Sequence, residues 1–172
     1  MKEIKLSKYG KNSGKYVTYV DDEDFEYLNQ WSWSVVKNKT TYYAVRTVVS
    51  SQCERKCIRM HRLVINAQSN KFVDHKDRNG LNNQKSNLRF CNRSQNMSNR
   101  TPCGVSKYLG VIIVYDRYGN RYIKARIKSC GVTTYLGTFK TEEDAANAYN
   151  IAALKYHKEF ANLNIIGSSI NS

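Results

Sequence analysis

Alternation and helical spacing divide the chain into three stretches with different patterns. In the first, residues 15–20 read as extended, Asp21 and Asp22 stand where they can cap a short helix reaching Asn29, and residues 31–36 and 42–49 form a hairpin across Lys37-Asn38-Lys39-Thr40. Trp31, Trp33, Tyr42 and Tyr43 supply its core. In the second, residues 72–75 make a short strand that runs into a polar loop, 76–83, with a turn at Asn79-Gly80. Residues 87–91 return as a strand, and Ser94 caps a helix containing 95–99. In the third, residues 108–115, 121–128 and 133–139 form an antiparallel three-stranded meander. Its middle strand sets Tyr122, Lys124, Arg126 and Lys128 on one face and Ile123, Ala125 and Ile127 on the other. Thr141-Glu142-Glu143-Asp144 resembles a capping box and opens a helix to about Lys158. Its stripe of Ala145, Ala148, Tyr149, Ala152, Ala153 and Tyr156 is small enough to lie against the apolar face of the sheet.

The pattern predicts an α+β protein with a small N-terminal β-rich unit at 1–57, a strand–loop–strand–helix core at 58–101, a sheet-on-helix domain at 102–167 and a tail at 168–172. Pro102, the only proline, marks the last main boundary. The chain has 172 residues, 41% of them hydrophobic, enough for one or two small cores. It holds no apolar run near the roughly 20 residues that cross a bilayer and no signal-peptide pattern, so a soluble, cytoplasmic protein without membrane association is expected. Five cysteines without a C-x-x-C pair read as reduced thiols, not as a zinc site.

Charge narrows the partner. The net charge is +14, and residues 56–101 carry 10 basic against 2 acidic side chains. An excess of this size suits a polyanion, and nucleic acid first of all. Arg59, Arg62, Lys76, Arg78, Lys85, Arg89 and Arg93 are candidate phosphate contacts. His61, beside Leu63-Val64-Ile65, reads as a buried, hydrogen-bonded histidine, and His157 as a partner of a helix C-terminus.

The same segment carries candidate chemistry. A carboxylate (Asp74) and an amide oxygen (Asn96) are hard ligands for magnesium or manganese, and the imidazole of His75 can take a proton from water. Together they are a kit for metal-assisted phosphodiester hydrolysis. Met60-His61-Arg62-Leu63-Val64, the run from Val73-Asp74-His75 to Asn82-Asn83, Asn87-Leu88-Arg89 and Ser94-Gln95-Asn96 resemble the HNH endonucleases, in the variant found in phage and intron-encoded homing enzymes. The resemblance covers about 45 residues and has Asn96 where the third letter of the motif is His. It implies a ββα-metal core in which Asp74 and Asn96 bind one Mg²⁺ or Mn²⁺ ion, His75 is the general base, and Asn87 holds the loop that orients His75. It also implies a double-stranded DNA substrate, a monomer that nicks, and no small-molecule cofactor.

The third stretch resembles the Apetala-two-type DNA-binding domain over about 60 residues. The resemblance rests on Ser106-Lys107-Tyr108-Leu109-Gly110-Val111, Tyr135-Leu136-Gly137-Thr138-Phe139, the run from Thr141 to Ala146, Ala152-Ala153-Leu154-Lys155-Tyr156 and Ala161-Asn162-Leu163-Asn164. The first strand has Ile112, Ile113 and Val114 where the family bears arginines. DNA contacts are therefore expected from Lys124, Arg126 and Lys128, supported by Arg117 and Arg121, with Arg78, Arg89 and Arg93 in the central segment. Two other classes stay open: a non-catalytic DNA-binding regulator on a degenerate HNH scaffold, and, more weakly, an RNA-binding protein.

Overall fold

The computed structural model describes residues 1–7, 13–38, 41–49, 51, 53–98 and 104–167. It is a mixed α+β protein of small antiparallel sheets, divided into two compact units, Met1–Asn92 and Arg93–Ser172. The division falls at Asn92, ten residues before Pro102, which lies outside the described residues, as do the 168–172 tail and Cys103. The N-terminal stretch and the central strands share one unit.

In the first unit β1 (Lys2–Lys5) pairs antiparallel with β2 (Val17–Val20), and α1 (Asp22–Asn29) follows directly. Asp21 stands at the N-cap of α1 but makes no capping bond. Its carboxylate accepts instead from Gln84 Nε2 at 3.2 Å and the Lys85 amide at 2.8 Å. The start of α1 is left to Asp22, Glu23 and Asp24 in the first turn, whose charge complements the helix N-terminus.

A second sheet runs β3 (Ser34–Lys37), β4 (Tyr42–Val49), β5 (Arg55–Arg59), and α2 (Met60–Val64) packs back on β4. Neither β1 nor β5 carries a strand pattern strong enough to predict. Ile4, Leu6, Val20, Leu28, Trp33, Ala44 and Met60 form the core, and burying each large member contributes about 1.5–3 kcal/mol. Trp33 is buried, and its indole N–H donates to the Leu28 carbonyl at 2.8 Å. The predicted first hairpin strand starts at Ser34, not Trp31. Trp31 lies half-buried under the Arg46 guanidinium, 3.8 Å from its ring centroid. The unit ends with the hairpin of β6 (Phe72–His75) and β7 (Leu88–Cys91).

The second unit begins with α3 (Arg93–Ser98), so Ser94 lies inside that helix and not at its cap. The meander β8 (Val111–Tyr115), β9 (Arg121–Ser129), β10 (Val132–Phe139) follows, covered by α4 (Glu142–His157). Thr141 caps α4: its Oγ1 accepts from the Asp144 amide at 3.1 Å, and its hydroxyl donates to Asp144 Oδ2 at 2.7 Å. The buried stripe of α4 is Ala145, Ala146, Tyr149, Ala152, Ala153 and His157. Ala148 is only half-buried and Tyr156 is exposed, so the stripe is rotated from the predicted one. His157 therefore points inward, away from the role of a surface dipole partner, and burial lowers its pKa. Gly110 has φ +74°, and a Cβ there would meet the Tyr149 ring and come 2.6 Å from the Arg126 carbonyl oxygen. The close approach of α4 to the sheet thus needs glycine at this position.

Candidate active site

Strand pairing builds the centre of the first unit. In the β6–β7 hairpin Asp74 stands opposite Arg89 and His75 opposite Leu88. Two nitrogens of Arg89 meet one carboxylate oxygen: Nε donates to Asp74 Oδ2 at 2.9 Å, and Nη2 lies 2.8 Å from the same atom. Asp74 and Arg89 are largely buried, so removing the guanidinium would take from a buried carboxylate a charge partner held close to it. Arg89, expected as a phosphate contact, is thus engaged inside the unit as the partner of Asp74.

The loop between the strands is tied by side-chain amides. Asn87 Oδ1 accepts from the Asp77 amide at 3.0 Å, and its Nδ2 donates to Asp77 Oδ1 and to the Asn82 carbonyl, both at 2.9 Å. The Asn87 carbonyl accepts from the Lys76 amide at 2.9 Å. Asp77 also accepts from the Asn79 amide and from Asn82 Nδ2, each at 2.8 Å. Arg78, exposed, takes the left-handed conformation of the loop at φ +65°. Gly80 is required for another reason: a Cβ there would meet the Tyr42 carbonyl and come 2.7 Å from the Tyr43 ring. The turn thereby lies directly on β4.

His75 is buried at the end of β6. Its Nε2 lies 3.4 Å from Asn83 Oδ1. Its ring sits 5.0 Å from that of His61 and 5.8 Å from that of Tyr43. Burial lowers its pKa, against the raising influence of the Asn83 hydrogen bond and of Asp77 and Asp74. His61, on α2, is also buried, and desolvation, then the neighbouring His75, Arg59 and Arg62, push its pKa down to about 3. Both imidazoles are therefore neutral near pH 7, and a neutral imidazole can accept a proton. The Tyr43 hydroxyl is raised by burial, lowered by Arg59 and raised by Asp74, so it lies within the field of both charges.

Several expected phosphate contacts have internal work. Arg62 donates to the carbonyls of Lys71, Ala67 and Gln68 and closes the loop after α2. Lys76 donates to the Ser86 carbonyl at 2.6 Å, and Lys85 pairs with Glu23 and Asp24. Arg59 is exposed, its guanidinium 5.9 Å from the Tyr43 ring centroid. Sequence reasoning missed the Arg89–Asp74 pair and the role of Asn83, which is fully buried. Only the opposite register of residues 74 and 89 could have signalled the first.

Asn96 lies exposed on α3 in the second unit, as does Arg93 at the start of that helix. Among the described residues no three His, Cys, Asp or Glu side chains cluster as a metal site. The expected donor set, one carboxylate and one amide oxygen, is smaller than such a cluster. Asp74 and Asn96 belong to different units, and Asp74 Oδ2 accepts from Arg89. Among the described residues Cys53, Cys57, Cys91 and Cys130 form no disulfide.

On β9 of the second unit Arg126 and Lys128 are exposed and Lys124 half-exposed, while Ile123, Ala125 and Ile127 are buried under α4. Tyr122 and Tyr135 are exposed with them. Arg121 is paired with Glu142 at 2.6 Å, and Arg117 lies 4.7 Å from the Tyr118 ring centroid. No helix among the described residues is long and apolar enough to cross a membrane.

No family model matches the chain. It is 32% identical over 143 residues to an uncharacterized HNH endonuclease, L560, of Acanthamoeba polyphaga mimivirus, an alignment that spans 80% of this chain and 73% of the viral protein. At that identity and coverage, the chain belongs to the HNH endonuclease family.

Proposed function

We propose that the protein is a divalent-metal-dependent endonuclease that hydrolyses phosphodiester bonds of double-stranded DNA, as a monomer that nicks one strand at a preferred site in the manner of a homing enzyme. The observation that carries this reading is the buried, neutral imidazole of His75 at the mouth of a loop fixed by Asn87, one residue from a carboxylate held by Arg89.

His75 takes the proton of the attacking water, which adds in line to phosphorus as the 3′ oxygen leaves. Asn87 touches no reacting atom; through its three side-chain hydrogen bonds it positions the loop that carries His75. Asp74 is the proposed ligand for Mg²⁺ or Mn²⁺ in the first unit, with Asn96 the second candidate on donor chemistry alone. The ion, when bound, supplies positive charge for the phosphate and the departing oxygen. Arg89 orients the Asp74 carboxylate through its contacts with Oδ2.

The second unit supplies the anchor. Its resemblance to the Apetala-two-type domain and the cationic face of β9 support Lys124, Arg126 and Lys128 as the main DNA contacts, with Arg117 and Arg121 beside them. Arg78 and Arg93 are exposed and complete the set.

Supercoiled plasmid incubated with the protein and Mg²⁺ or Mn²⁺ tests the reading. Nicking that stops with EDTA and falls by about 10²–10⁴-fold in His75→Ala, with duplex binding retained, is the expected result. Tight binding without cutting would make the chain a non-catalytic DNA-binding module instead.

A further inference from the structure

Asn83 is fully buried and bridges two strands' worth of polar groups 65 residues apart in sequence. Its Nδ2 lies 2.7 Å from Thr18 Oγ1 on β2, and Thr18 Oγ1 lies 2.7 Å from the Leu81 carbonyl oxygen. On its other side Asn83 Oδ1 faces His75 Nε2. Backbone pairing holds the bridge in place: Tyr19 donates to Leu81 O at 2.9 Å, and Asn83 donates to Tyr19 O at 2.8 Å.

The directions of these bonds follow from one contact. Two oxygens cannot approach to 2.7 Å without a proton between them, and the Leu81 carbonyl has none to give, so the Thr18 hydroxyl donates to it. The Met60 sulfur, 3.8 Å from Thr18 Oγ1, is a weak acceptor that does not compete. With its one proton committed, Thr18 Oγ1 can only accept, so the amide nitrogen of Asn83 must face it. That leaves the Asn83 carbonyl oxygen toward His75, and a carbonyl oxygen requires a donor. A flipped Asn83 would need the hydroxyl proton of Thr18 for itself and would leave Thr18 Oγ1 against Leu81 O with nothing between.

We infer that Leu81 O, Thr18 and Asn83 form a one-directional relay that fixes the proton of neutral His75 on Nε2 and leaves Nδ1 as the nitrogen that accepts a proton. Thr18 and Asn83 are positioning residues. Their effect on cleavage rests on His75 being the base, as proposed above, whereas the tautomer itself does not.

The test is therefore spectroscopic first. Metal-free protein labelled with ¹⁵N, with His75→Ala identifying the signals of that ring, should show His75 as the Nε2–H tautomer in long-range ¹⁵N–¹H correlation at neutral pH. Thr18→Val, which keeps shape but removes the acceptor of the Asn83 amide, should lose that single tautomer, and Thr18→Ser should restore it. Asn83→Asp, whose carboxylate can only accept, should retain Nε2–H. In plasmid nicking Thr18→Val should lower kcat about 10-fold with KM for DNA unchanged, again restored by serine. A wild-type His75 found as Nδ1–H, or a Thr18→Val protein that keeps the wild-type tautomer, overturns the relay. Should Thr18→Val fail to fold, the wild-type and Asn83→Asp spectra still decide it. An Nε2–H tautomer in a protein whose His75→Ala variant cuts normally would leave the relay standing and remove His75 as the base.

Discussion

The two units hold their proposed functional surfaces by opposite means. In the first, the loop that carries His75 is secured by side-chain amides and carboxylates: Asn87 to Asp77 and Asn82, Asn83 to Thr18, Arg89 to Asp74. In the second, the cationic face of β9 is secured by what lies behind it, an alanine-rich helix pressed against Ile123, Ala125 and Ile127. The reason is chemical. A catalytic loop must place individual polar atoms, and directional bonds do that, each contributing only about 1 kcal/mol net. A binding face needs only a rigid backbone, which close apolar packing provides. The first unit should therefore lose function before stability when a polar group is removed, and the second should lose stability first when its packing is disturbed.

The sharpest break in that contrast is Gly110→Ala. A β-carbon there enters the Tyr149 ring and the Arg126 carbonyl at a positive φ, and the combined strain and overpacking cost about 2–5 kcal/mol. Amide hydrogen exchange should show lost protection through β8–β10 and α4, with duplex binding reduced in proportion. Full protection in the variant would mean that the helix is not seated as closely as the structure has it. Asn87→Ala comes next, at about 2–3 kcal/mol, since it strands the Asp77 amide and the Asn82 carbonyl. Here the loss of nicking should exceed the loss of stability: at a temperature where the variant is still folded, cleavage falls about 100-fold, the scale set by misplacing a reacting group by an ångström. Equal losses in the two measurements would make Asn87 a structural residue only.

Acid separates the units by about the same amount. His61 is neutral in the folded first unit down to about pH 3, whereas in the unfolded chain it takes up a proton below about 6.5. Its folded pKa is depressed, so its contribution is complete above about pH 6.5 and declines as pH falls toward 3. Between pH 7 and pH 5 that is about 2 kcal/mol. Burial lowers His75 as well and adds in the same direction. Both tryptophans, Trp31 and Trp33, lie in the first unit, so denaturant unfolding followed by their fluorescence reads that unit. His61→Phe should flatten the pH dependence by about 2 kcal/mol. An unchanged slope would place an accessible or already charged imidazole at residue 61.

How far the sequence revealed each unit follows the same division. The sheet and helix of the second were legible because period 2 in residues 121–128 and an N-cap at Thr141 are strong local signals. Even there the stripe on α4 was misplaced, because Ala146 and Ala148 are equally apolar and only packing chooses between them. In the first unit α1 and the β6–β7 hairpin could be read. The strand β5 could not, since Arg55, Lys56, Cys57 and Arg59 are exposed and only Ile58 turns toward the core, which leaves no alternation to read. At the site, spacing singled out Asp74, His75 and Asn87. The partners that orient them were hidden for physical reasons: Thr18 meets Asn83 across 65 residues, and an arginine in a basic segment gives no sign that a buried aspartate will claim it.

The smallest effect on stability, and the cleanest on function, belongs to the outer face of β9. Arg126 and Lys128 are exposed and Lys124 half-exposed, while Ile123, Ala125 and Ile127 on the opposite face do the packing. Replacing Lys124 and Lys128 together by alanine should thus change the unfolding free energy by no more than about 0.5 kcal/mol. If each contacts a DNA phosphate, the dependence of log affinity on log salt should become shallower by roughly 0.9 per lysine, because two fewer counterions are released from the duplex. Nicking at saturating DNA should keep its wild-type rate, since neither lysine belongs to the unit that holds His75. A variant that binds with the wild-type salt slope would show that this face does not meet the backbone, and would shift the anchoring role to Arg78 and Arg93, whereas a variant that binds normally but cuts slowly would contradict the division of labour between the two units.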